Sequence, residues 1–510
     1  MINNITDRIH SILNSKGFFK FVIIFFIIEA SWIALTAIYP QAFDEQYHFG
    51  LIKLYSHHLW PFFSKQPAGA NQFGAVAVNS SYLYHYLMSF PYRFIELITK
   101  NQDIQIIILR FIDIAMFTYG LILFRKVLLK TRLSKAMSNL IIFVFILIPI
   151  VPQLAGQVNY DDLMIPLVAA VCLLSFNMID QIKKHQLSFK TTALMLILAT
   201  FTSLVKFAFL PIYLAVVLFF VFYIYRYHRS YFFKIWNSFI LDFKKQSLKL
   251  KIVLISLLLI SVAMFAQRDL VNIVKYHSLN PSCSSVLSIK DCKAYPVWYA
   301  NYIRHKAIID HKKSASDNII VYIGQWLYWM WYRLFFAVNG PGSHFTNYPP
   351  LPLPSAMALI VGVSGLIVAI KYRKKILKAN PYVILLFLMS LIYLIALITQ
   401  GYSTYRFTAV LENMNGRYLL PILILIGAIL ARAFSLAFKK YGHLKVIAAC
   451  ITIIMLLEGG GIFTYIIRSN DSWYWHSNKV VKVNKVVRKI TKKVVVTDKK
   501  SYATKVWFFN

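Results

Sequence analysis

Long apolar runs alternate with short basic clusters along almost the whole chain. Runs near 20 residues suffice for a helix to cross a hydrocarbon core of about 30 Å. The pattern predicts an all-α, polytopic helical membrane protein. About eleven spans are expected, at approximately 21–39, 104–128, 136–154, 163–180, 191–205, 207–225, 252–270, 355–371, 381–399, 418–438 and 446–467.

The basic clusters set the direction of each span, because lysine and arginine collect on the cytoplasmic side. They lie at Arg8/Lys16/Lys20, at 125–135, at 183–190, at 226–251, at 371–378 and at 432–445. Placing all of them inside decides several segments. Residues 81–99 would send the next clusters outside if they crossed. They also hold His85, Pro91, Arg93 and Glu96, so an amphipathic helix on the outer face is expected. The aromatic segment 319–338 is kept on the outer surface for the same reason. Residues 191–225 as one helix would measure roughly 50 Å, so two spans meeting near Lys206 and Pro211 are expected. The N-terminus is then cytoplasmic and the C-terminus outside. Glu29 interrupts the first run and no convincing cleavage site follows, which reads as a retained anchor.

Domain organisation is simple: a transmembrane domain over 1–467, with outer loops 41–103, 271–354 and 400–417, and a basic tail over 468–510. The tail carries eleven basic and two acidic residues, against the charge rule, but tails obey that rule weakly. Alternation from Lys493 to Thr497, a turn at Asp498-Lys499-Lys500, and Val506-Trp507-Phe508 suggest a small β-hairpin.

The net charge of +36 could point to nucleic acid. Its dispersal in clusters between apolar runs excludes that reading and points to anionic lipid headgroups. Cys172 and Cys450 fall inside apolar runs and suit packing. Cys283 and Cys292 share one outer loop, where a disulfide is plausible. No metal-binding Cys/His spacing occurs.

Chemistry concentrates at one face. Asp44-Glu45 leaves the first span, and Asp161-Asp162 leaves the turn after the third. Lys206 and Arg417 come to the same side. Asp44 and Glu45 stand four and three residues before His48, which gives each pair one helix face. A carboxylate there suits a general base. It also suits a hard divalent cation, Mg or Mn, held by Asp44 with His48 or Asp161. Asn159 to Asp162 also offers helix caps, with one Asp capping and the other reaching the site. Lys206 suits a lipid-linked phosphate as well as snorkelling to the interface. Asn415-Gly416-Arg417-Tyr418 opens a span at its outer end, where a helix N-terminus and a guanidinium fork favour phosphate. Arg110 and Asp113 read as an intrahelical ion pair, and His57, His58 and His85 as surface or interfacial.

An acidic pair after the first span, an outer amphipathic helix, a second acidic motif after the third span and a Gly-Arg-Tyr-x-x-Pro helix start resemble the GT-C glycosyltransferases. The nearest types are the protein O-mannosyltransferases and aminoarabinose transferases, with related bacterial membrane proteins. The resemblance covers about residues 20–440 and is to the superfamily. It implies a GT-C fold and a plasma-membrane enzyme that takes sugar from a polyprenyl phosphate. The acceptor would be a glycan, lipid or protein on the outer face. By position it makes Asp44 the catalytic base and Glu45 its support, with Asp161 or Asp162 as the second acidic element. Lys206 and Arg417 would contact the donor phosphate. The rival classes are a transporter or flippase for a lipid-linked or anionic solute, and an inactive scaffold that keeps the fold.

Overall fold

The computed structural model describes residues 2–311, 314–315, 318–335, 352–412, 414–438, 465–466, 469, 471–475 and 477–494. Among these the chain is helical, with no strand and one isolated β-bridge. Among the described residues seven helices are long and apolar enough to cross a membrane, and the chain is a multi-pass membrane protein.

Six elements frame the site. Helix α1 is Lys16–Thr36, capped by Ser15, whose hydroxyl accepts from the Phe18 amide. Helix α2 is Glu45–Ser56 and α3 is Leu83–Ile98. Helix α4 is Gln102–Lys130, α5 is Tyr160–Lys183, and α6 is Phe189–Val205. Helices α4 and α5 form the centre of the bundle. Gly120 of α4 lets them meet: a Cβ there would stand 2.5 Å from Ile165 Cγ2 and 2.8 Å from the Pro166 nitrogen. Helix α3 packs on α2 and leaves Leu87, Phe90, Phe94, Leu97 and Ile98 exposed.

Ten of the expected spans fall on described helices, with four differences of extent, one being that the span expected at 355–371 is Pro352–Ala379. Residues 136–154 are two helices, Lys135–Ile146 and Ile150–Ala155. Pro149 and Pro152 lack the N–H groups a continuous helix needs. The helix expected to end near 399 runs on as Pro381–Thr408, so the expected loop 400–417 is mostly helix. Tyr402 and Tyr405 in that extension pack against Tyr322 with tilted rings, at 5.1 and 5.4 Å between ring centroids. The span expected at 252–270 is Leu248–Phe265, continued through a π-turn to Tyr276. The span at 446–467 lies outside the described residues but for Tyr465 and Ile466.

The two long loops interlock. Asn71 donates to Asp291 at 3.1 Å, and Ser80 donates to the Leu279 carbonyl at 2.7 Å. Cys283 and Cys292 are disulfide-bonded. The tail returns to the same end. Ile38 N–H donates to the Trp473 carbonyl at 2.9 Å, and Trp475 N–H donates to the Thr36 carbonyl at 3.0 Å. Helix α7, Asn478–Val494, follows. It takes in Lys493 and Val494, where the hairpin was expected to begin. Apolar residues at 480, 483, 487, 490 and 494 repeat at helical spacing, which overrides the short alternation. The rest of the expected hairpin lies outside the described residues.

Replacing Gly120 by alanine should lower stability by about 1 to 3 kcal/mol through overpacking. Thermal unfolding in detergent would read this. Gly324→Ala is the control, since nothing stands within 4 Å of a Cβ there, and it should cause no loss.

Candidate active site

The site grows from a tight turn between α1 and α2. Phe43 and Asp44 are consecutive non-glycine residues at φ of 60° and 69°. Such left-handed conformations cost on the order of 1 kcal/mol each and persist only where neighbours hold them. Here the Phe43 carbonyl accepts from Arg417 Nη1 at 2.8 Å and from Asn159 Nδ2 at 2.9 Å. The turn sends the two adjacent carboxylates in opposite directions.

Glu45 points inward and is fully buried. Its Oε1 accepts from Arg110 Nε at 2.8 Å and from the Val158 amide at 3.0 Å. Its Oε2 accepts from Arg110 Nη2 and the Gln41 amide, each at 2.7 Å. Arg110 Nη1 donates to the Ala34 and Ala37 carbonyls at 3.1 and 2.8 Å. The expected Arg110–Asp113 pair therefore does not form. A bidentate fork onto Glu45 satisfies the guanidinium better than a carboxylate one turn away. Asp113 instead accepts from the Tyr84 hydroxyl at 2.9 and 3.0 Å.

Asp44 points outward. Its side chain is 44% exposed, and Oδ2 accepts from Arg417 Nη2 at 2.6 Å. Arg417 reaches this point from a 3₁₀ turn, Gly416–Leu419, capped by Asn415. Gly416 is required for the approach, because a Cβ there would stand 2.5 Å from the Leu334 backbone. The Arg417 guanidinium also lies 5.3 Å from the ring centroids of Phe43 and Tyr418.

Both residues line a cavity of about 860 Å³, together with Glu45, His48, Tyr295 and Arg333. Asp161, Asp162 and Lys206 do not line it. Asp161 and Lys206 form a buried ion pair, and Lys206 Nζ lies 4.6 and 5.4 Å from the rings of Tyr160 and Tyr418, which do line the cavity. The cap of α5 is Asn159, whose Oδ1 accepts from the Asp161 amide at 3.0 Å. Neither aspartate caps, since both fall in the first turn. Both oxygens of Asp162 and Oδ2 of Asp161 are buried without a hydrogen-bond partner among the described residues.

His85 is fully buried, not interfacial. Packing of α3 on α2 brings its Nε2 to 2.8 Å from His48 Nδ1. His48 also meets the Tyr160 ring edge-on at 4.5 Å. Burial, then the neighbouring His85, Arg417 and Lys206, hold the His48 imidazole well below its usual 6.5. Burial takes His85 to about 3.

No group of three or more His, Cys, Asp or Glu side chains gathers among the described residues to hold a metal ion. The ligands expected from the sequence are engaged elsewhere: Asp44 with Arg417, His48 with His85, and Asp161 with Lys206. Among the described residues the expected ligands Asp44, His48 and Asp161 do not gather into one cation-binding group.

No family model matches the chain. No curated protein matches it. Among solved structures it is similar to the archaeal oligosaccharyltransferase AglB from Archaeoglobus fulgidus in complex with an inhibitory peptide and a dolichol-phosphate. The identity is 14% and the TM-score 0.44, over 92% of this chain and 59% of that one. It is also similar to the Archaeoglobus fulgidus oligosaccharyltransferase in the apo form, at 12% identity and TM-score 0.44, over 93% and 60%. A third similarity is to that enzyme in complex with Zn and sulfate, at 12% and 0.43, over 92% and 57%. The chain spans about three fifths of the length of these proteins.

Sequence reasoning missed Arg333, Tyr295 and the ion pair of Arg304 with Glu412, all on the cavity wall. For Arg333 a signal was present: it is the one basic residue of the aromatic run Trp326 to Arg333. Nothing in the sequence couples Arg304 to Glu412.

Glu45→Gln should destabilise the protein by about 3 to 5 kcal/mol, because it leaves Arg110 buried and uncompensated. Asp44→Asn, at a partly exposed position, should shift the melting temperature little. Comparative unfolding of the two variants in detergent separates the roles. The histidines add a pH dependence. Their folded values lie below 6.5, so the unfolded chain binds more protons as pH falls. Stability should drop below pH 6.5 by about 1.4 kcal/mol per pH unit for each histidine. For His85 the loss levels off near pH 3. His85→Asn should flatten a melting series over pH 6.5 to 4.5.

Proposed function

We propose that this chain is a membrane glycosyltransferase of GT-C type. It moves a sugar from a polyprenyl-phosphate carrier to an acceptor on the outer face of the plasma membrane. The observation that carries the reading is the Asp44–Arg417 pair on the cavity wall. A half-exposed carboxylate and a guanidinium side by side offer a proton acceptor and an anion partner in one place. Glu45, by contrast, has all its bonding capacity committed to the scaffold.

In the proposed step an acceptor hydroxyl attacks C1 of the donor sugar from the face opposite the phosphate. The new C–O bond forms as the C1–O(phosphate) bond breaks. Asp44 takes the hydroxyl proton, and the phosphate leaves with the bonding electrons and the carrier lipid. Arg417, with Arg333 on the same wall, meets the charge that develops on the leaving oxygen. Displacement of this kind inverts the configuration at C1. Lys206 acts at one remove, by holding Asp161 and the rings of Tyr160 and Tyr418. Asp161 and Asp162 shape the floor behind the cavity. No step is routed through a metal ion.

The rival reading, a transporter or flippase, draws on Asp113 and Asp162, carboxyls buried inside the bundle. Neither lines the cavity, which weakens that reading.

The test compares cell-surface glycans of a deletion strain with those of an Asp44→Asn strain in which membrane insertion is normal. Loss of the same sugar decoration in both is expected. Transfer in vitro should fall about 10²- to 10⁴-fold, the usual cost of losing a general base. Undiminished transfer by the inserted variant sinks the assignment.

A further inference from the structure

Helix α7 presents three separate strips along its length. Val480, Asn484 and Val487 face the protein. Asn484 is fully buried, and the two valines pack against the cluster of Ile33, Ala37, Trp473 and Tyr474. Arg488 fastens this side: its Nε donates to the Ile466 carbonyl at 2.8 Å and its Nη1 to Asp471 at 2.7 Å. Val483 and Val486 form a second strip, 44% and 51% exposed. Lys482, Lys485 and Lys489, all exposed, form a third, with Lys479 exposed beside the valines. The helix contains no acidic residue.

Its position gives these strips a meaning. Ile33 and Ala37 mark the end of α1, a helix long and apolar enough to cross a membrane. A helix docked there lies at the level where hydrocarbon gives way to headgroups. This is also the end of the bundle that carries the Asp44 cavity, because the tail pairs with residues 36–38 just before the site turn.

We propose that α7 lies in the membrane surface beside the cavity and binds anionic phospholipid headgroups. The exposed valines would enter the acyl boundary while the lysine strip meets lipid phosphates. A soluble polyanion would match the lysines but leave the valines in water, so a lipid surface is the occupant that uses both strips.

The test uses the full-length chain in lipid nanodiscs, with an environment-sensitive fluorophore on Val486→Cys in a Cys172→Ala, Cys450→Ala background. Discs contain phosphatidylcholine alone or with phosphatidylglycerol, and a nitroxide lipid serves as quencher. In anionic discs the emission should shift to the blue and quenching should rise above that in neutral discs. The difference should shrink with salt as the screening length falls from about 10 Å at 0.1 M to about 3 Å at 1 M. Lys482→Gln, Lys485→Gln and Lys489→Gln together should abolish it. A label equally wet in both kinds of disc overturns the proposal. So does an unchanged response in the triple variant. A blue shift produced by soluble polyphosphate in neutral discs also overturns it, in favour of a polyanion.

Discussion

The buried ion pair between Glu45 and Arg110 is the joint on which the site end of the molecule turns. Two carboxylate oxygens and three guanidinium nitrogens gather bonds from α1, the turn before α2, α4 and the segment entering α5. Burying two charges is expensive unless the geometry and the remaining hydrogen bonds are both good. Here the fork is bidentate and both carboxylate oxygens also accept from backbone amides. The pair fixes the relative positions of four chain segments. Its neighbour Asp44 can then be held in a left-handed conformation that no local preference would choose.

The same turn explains how adjacent acidic residues take opposite fates. Two consecutive positive φ values rotate Asp44 outward as Glu45 goes in. Arg417 and Asn159 hold the turn through one carbonyl, that of Phe43. Arg417 thus serves the backbone with one nitrogen and the Asp44 carboxylate with another. The second acidic pair is arranged differently. Asp161 is matched by Lys206 beneath two tyrosine rings, while Asp162 remains among the neighbouring carboxyls of Asp113, Asp161 and Glu45.

The bundle was legible in the sequence because membrane-crossing length and charge asymmetry are properties of single segments. The acidic pair at 44–45 was legible for the same reason. Partners were not. Arg110 and Asp113 share a spacing that suggests a local pair, yet each bonds across the fold to α2 and α3 respectively. His85 looked interfacial because its helix is amphipathic. Its burial follows from α2, whose docking no pattern within residues 83–98 reports. Proline positions could have revealed the break at 149, and the valine spacing could have revealed helix α7. Both signals were present and were outweighed by run length and by a short alternation.

The pairing of Asp44 with Arg417 joins residues 373 positions apart. At synthesis rates of about 5–20 residues per second, roughly 20 to 75 s would separate their emergence from the ribosome. The scaffold pair is nearer, 65 positions apart, and can close while the later helices are still being made. The Glu45–Arg110 frame can therefore close early, and the Asp44–Arg417 pair only late. A chain that stops short of residue 417 lacks the Asp44–Arg417 contact and the core helix Leu420–Ala437 that follows it, so this wall of the cavity is the last part of the fold that synthesis can complete.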